Sequence, residues 1–68
     1  MYQIIINRLD DNGILNRESQ IISDKKDAID YSIITFTSNK NVLSTRIYNI
    51  NDKIKKIMEF NRTPFATN

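Results

Sequence analysis

The sequence predicts an α+β fold: a small three-stranded sheet in order 2-1-3, built β-β-α-β-α, with a helix packed on one face and a short C-terminal helix. Three observations carry this expectation. An Asn-Gly pair separates two extended runs near the N-terminus. A capped stretch with apolar residues at helical spacing follows them. A third extended run then leads into a second stretch of helical spacing. At 68 residues the chain makes one domain, residues 1–68.

Residues 2–9 are rich in isoleucine and read as the first strand. Asp10-Asp11-Asn12-Gly13 follows. Asn-Gly between extended runs predicts a type I′ hairpin turn, in which both central residues take positive φ. Residues 14–22 return as the second strand. Its polar middle, Asn16 to Gln20, marks an edge strand with one wet face.

Either Ser23 or Asp24 caps the next element, and the acids at 24 and 27 suit a helix N-terminus. Ala28, Ile29, Ile33 and Phe36 then fall on one stripe, with Ser32 between them. The same stretch, Tyr31 to Thr37, also has high β-propensity. Ser38 to Asn41 would then turn it into a hairpin with residues 42–50. The capping signal and the stripe agree with each other and favour the helix.

Residues 42–50 read as the third strand. Asn51 or Asp52 then caps a short helix through about Asn61. Ile54, Ile57 and Met58 form its apolar stripe, and Lys53, Lys55 and Lys56 face water. Pro64 stops it, because a residue before proline disfavours the α conformation. Residues 63–68 are expected to fray.

The helix lets strands two and three run parallel on either side of strand one, as in a split βαβ unit. Ile4-Ile5-Ile6 fits that central place. Adjacent strand side chains point to opposite faces, so three isoleucines in a row ask for cover on both. The first helix covers one face. The second helix, another copy of the chain or a partner is left for the other.

Composition excludes most enzyme classes. The chain has no histidine, cysteine or tryptophan, and only one glycine. That removes the usual neutral-pH base, the thiol nucleophile and most transition-metal ligands. A single glycine builds no phosphate-cradling loop. Asp10 to Gly13 superficially suggests a calcium loop, but loop positions 5 and 12 would be Ile14 and Ile21. Asp24, Asp27 and Asp30 share one helix side beside Lys25 and Lys26, and read as caps and solvated charges. No enzyme, metal or cofactor is expected.

A chain this short buries only about 60% of its unfolded surface. With no disulfide or metal, self-association is the remaining aid to stability, so a homodimer is expected. The net charge is +2. No run is long and apolar enough to span a membrane. Met1 leads straight into a strand-like run, which predicts no export signal and a cytoplasmic protein. Thirteen Ile, nine Asn and six Lys suggest an AT-rich genome.

The surface expected to bind lies on strand three and the second helix. Arg46, Tyr48 and Ile50 alternate on one strand face, and Arg and Tyr are frequent hot-spot residues. Lys53, Lys55, Lys56 and Arg62 make a basic cluster beside them. Arg46, Tyr48, Lys53, Lys56 and Met58 are the candidate partner-binding residues. The expected partner is another protein, held by direct contact. The alternative is nucleic acid, gripped by the same basic strip.

One resemblance supports that expectation. Tyr2-x-Ile4-x-Ile6, Asp10-Asp11-Asn12-Gly13, Ser23-Asp24-Lys25-Lys26-Asp27-Ala28-Ile29-Asp30-Tyr31, Asn41-Val42 and Arg46-Ile47-Tyr48 resemble a pattern of small phage and prophage ββαβ proteins. The likeness covers residues 2–48 and departs from the usual form at Ile33 to Phe36. It implies an accessory or anti-defence inhibitor of a host protein.

Overall fold

A computed structural model describes residues 1–51 and 53–62. The elements are β1 (Tyr2–Leu9), β2 (Leu15–Ile22), α1 (Lys25–Ser38), β3 (Val42–Asn49) and β4 (Lys55–Asn61). They form one four-stranded sheet in order β2-β1-β3-β4. Every adjacent pair is antiparallel. β2 and β3 therefore run in the same direction, with β1 between them.

The expected fold class is corrected in two respects: the sheet has four strands, and the chain has one helix among the described residues. The expected C-terminal helix is β4. The spacing of Ile54, Ile57 and Met58 imitates a helical stripe, but a β-bulge produces the same inward pair. The β3–β4 register shifts between Ile47 and Tyr48, leaving Ile57 as the extra residue of β4. A bulge breaks the two-residue alternation, so consecutive Ile57 and Met58 both pack on the core. Ile54 lies before the strand and is 77% exposed. Asp52, one candidate cap of that helix, and the expected tail at 63–68 with its Pro64 stop lie outside the described residues.

The first turn also differs from expectation. Gly13 takes φ 78, while among the described residues no non-glycine residue, Asn12 included, has positive φ. The loop is therefore Asp11 to Gly13, not a two-residue type I′ turn. Gly13 N donates to Asp10 O and Asp10 N donates to Ile14 O, both at 2.9 Å. Asp10 Oδ1 accepts from Asn12 N at 2.8 Å and Ile14 N at 2.9 Å. Its carboxyl is held below the ordinary value by the Ile14 backbone bond first, with Asn12 and Asn16 assisting.

α1 settles residues 29–37 as helix. Asp24 is its cap, in an extended conformation, and accepts from Asp27 N at 3.0 Å. Its inward stripe is Ala28, Ile29, Tyr31, Ser32 and Phe36 rather than one running through Ile33, which is 39% exposed. Ile4, Ile6, Ala28, Val42 and Ile47 form the fully buried core between α1 and the sheet. Ser32 Oγ donates to Thr45 Oγ1 at 2.6 Å within it, so both buried hydroxyls are engaged.

No helix among the described residues is long and apolar enough to cross a membrane.

Candidate functional site

α1 covers one face of the sheet and leaves the other uncovered. The strand register decides which side chains share that open face. Across it, Ile21, Gln3, Tyr48 and Lys56 form one row. Ser19, Ile5, Arg46 and Glu59 form the next, and Arg17, Asn7, Ser44 and Asn61 the third. The helix-side rows run Gln20-Ile4-Ile47-Met58 and Glu18-Ile6-Thr45-Phe60.

Gln3, Ile5, Arg17, Arg46, Tyr48 and Ile54 line an open depression of about 220 Å³ on this face. Ile5 makes its apolar floor, and the exposed Ile54 stands at its rim. Polar pairs fasten its surroundings. Arg17 Nε donates to Asn7 Oδ1 at 3.3 Å, and Asn7 Nδ2 donates to Ser44 Oγ at 3.0 Å.

Glu59 organises the charge. Its Oε2 accepts from Arg46 Nε at 3.0 Å and its Oε1 from Lys56 Nζ at 2.6 Å. Asn61 Nδ2 adds a bond to Oε2 at 2.6 Å. The Lys56 bond first, then the Arg46 bond, lower the Glu59 pKa to about 2. This carboxylate is therefore ionised throughout the neutral range. Arg17, Arg46 and Lys56 against Glu59 leave the face two positive charges in excess.

The structure brings Arg46, Tyr48 and Lys56 together as neighbours on the open face. It separates Lys53 and Met58 from them. Lys53 lies in the connection from β3 to β4 and lines a different depression with Asn49, Asn51 and Lys55. Met58 points to the helix side and packs on the core. Ile5, Arg17, Ile54 and Glu59 join the site although none of them was among the candidate partner-binding residues.

Arg17 shows why. A two-residue turn at Asn12-Gly13 would pair Arg17 with Arg8. The three-residue loop pairs it with Asn7 instead. A one-residue slip turns every side chain of a strand to the other face. The loop thereby carries Arg17 onto the open side.

The other sequence constellations have local roles. Asp24 caps α1 and Asp30 pairs with Lys26 at 3.1 Å. Among the described residues, no group of three or more His, Cys, Asp or Glu side chains could hold a metal ion.

An α+β sheet with one covered and one open, cationic face is the class that fold and site define. No family model matches the chain, and neither does a curated protein or a solved structure.

Proposed function

We propose that this chain is a non-catalytic binding protein of a phage or mobile element. It inhibits or modulates a host protein in the host cytoplasm by occluding its surface. The single observation that supports this reading is the open sheet face, where Arg46, Tyr48, Ile5 and Ile54 meet around one depression. Arg and Tyr around an apolar centre are the residue types that dominate protein contacts. The excess positive charge favours an acidic patch on the partner. The protein acts as a homodimer, which offsets the small core of so short a chain.

Nucleic acid fits the same face less well. Glu59 stands between Arg46 and Lys56 and stays ionised, so a phosphate approaching either cation meets a carboxylate.

A pull-down with the tagged chain from bacterial lysate, with and without nuclease, tests the proposal, with captured material identified by mass spectrometry. One retained protein, lost with both Tyr48→Ala and Lys56→Glu, is the expected result. Unchanged capture by both variants would reject this face. Capture that disappears with nuclease, and whose affinity falls steeply with salt, would transfer the function to nucleic acid.

A further inference from the structure

The two edges of the sheet are unlike. β4 is preceded by Lys53, carries Lys55 and Lys56 at its start and is broken by the bulge at Ile57. Lysines and bulges are the devices that keep an edge from pairing with another chain. β2 has none of them. It is eight residues long, without proline, glycine or a register shift against β1.

Its two charges are also drawn away from the edge. Arg17 reaches inward to Asn7 on β1, and Glu18 reaches inward to Arg8, whose Nε lies 3.2 Å from Glu18 Oε2. The outer margin of β2 is thus left uncharged. The Asp10 N to Ile14 O bond sets the phase of the ladder. Antiparallel pairs alternate between bonded and non-bonded. The even-numbered residues of β2 therefore bond to β1, and Leu15, Arg17, Ser19 and Ile21 direct their N–H and C=O groups outward.

We infer that β2 is a homodimer edge, pairing antiparallel with β2 of a second copy about a two-fold axis at Glu18. This inference rests on the reading of the chain as a dimer and is independent of the host target. A two-fold contact must be self-complementary. In this register Leu15 stands opposite Ile21 of the other copy, twice over. These residues are 57% and 49% exposed in the single chain, and they share the open face. Asn16 meets Gln20, and Arg17 meets Ser19. The two Glu18 side chains approach across the axis, each already paired with its own Arg8.

The neighbouring same-face registers fit less well. An axis at Arg17 sets two arginines against each other. An axis at Ser19 sets Arg17 against Ile21 and carries Leu15 past the end of the partner strand. The correct register yields one continuous eight-stranded sheet and extends the open face across both copies.

The chain has no cysteine, so single-cysteine cross-linking has no background. Sedimentation at about 100 μM, well above a micromolar dissociation constant, is expected to give twice the monomer mass. Among Arg17→Cys, Glu18→Cys and Ser19→Cys, oxidised dimer should be most abundant for Glu18→Cys. Leu15→Lys and Ile21→Lys, each with an unchanged circular-dichroism spectrum, should weaken dimerisation at least tenfold. A monomer in sedimentation would overturn both the dimer and its edge. A dimer that cross-links best through residue 17 or 19, or through none of the three, would overturn the β2 pairing and leave dimerisation standing.

Discussion

The guanidinium carbon of Arg62 lies 4.2 Å from the centre of the Phe36 ring, while its Nη2 donates to the Phe36 carbonyl at 2.8 Å. Its Nη1 donates to the carbonyls of Asn39, at 3.2 Å, and Lys40, at 3.1 Å, and to that of Val42. The last turn of α1 contains no basic residue. A helix C-terminus leaves carbonyls unsatisfied and favours a cation. Arg62 supplies both needs from the end of β4 and joins the last strand to the helix.

Arg62→Ala should therefore destabilise the fold by about 2 kcal/mol, the scale of hydrogen bonds to a charged group. Arg62→Lys should recover only part of the loss, because an ammonium has no planar fork and stacks poorly on Phe36. Urea unfolding of the three proteins checks this. Equal stability of wild type and Arg62→Ala would show that the helix end is satisfied by water.

The Glu59 cluster makes a pH prediction. Its pKa in the fold, about 2, lies below the ordinary 4.5. The folded state therefore binds fewer protons in that interval, and stability rises with pH. The contribution is complete above pH 4.5 and is lost as pH falls towards 2. Glu59→Gln should flatten the stability profile over this window. Thermal unfolding midpoints between pH 2 and 5 would show the same slope in both proteins if the ion pairs contribute nothing.

Ser32 and Thr45 form a buried pair across the helix–sheet interface. Ser32→Ala should cost about 1–3 kcal/mol, because the Thr45 hydroxyl is left buried without its partner. The double variant Ser32→Ala/Thr45→Val should be less destabilised than the sum of the singles. A double-mutant cycle measures that difference. Strict additivity would mean the two hydroxyls do not interact.

Gly13 sits at φ 78, and a Cβ built there meets nothing within 4 Å. The cost of Gly13→Ala is thus conformational, about 1–2 kcal/mol for an L-residue in the left-handed region. Gly13→Asn should cost less, since asparagine tolerates that conformation. Chemical denaturation of both variants checks the order. No loss for Gly13→Ala would show that the loop readily takes another form.

Residues with a short-range signal were legible in the sequence. Ile4-Ile5-Ile6 announced a strand with two apolar faces, and Ile4 and Ile6 are buried under α1 while Ile5 floors the opposite depression. The Asp24 cap announced α1. Arg46 and Tyr48 could be placed on one face because they alternate within one strand. Residues 54–61 were not legible, since three apolar residues at helical spacing fit a short helix and a bulged strand equally. Pairing with β3 makes the choice there: Glu59 bonds Arg46, Met58 lies beside Ile47, and Phe60 stacks on Phe36 at 5.8 Å.

The amino-acid order by itself determined β1, β2 and β3 as strands and favoured a helix after the Asp24 cap, because caps, turns and alternation act over a few residues. Packing of Ala28, Tyr31, Ser32 and Phe36 on the sheet decided residues 29–37 as helix. Only the tertiary structure decided the conformation of residues 55–61 and the membership of the open face. Glu59 meets Arg46 through a partner strand, and Arg17 reaches the same face through a loop one residue longer than a type I′ turn. Both depend on register between strands, which side-chain packing and turn length set together.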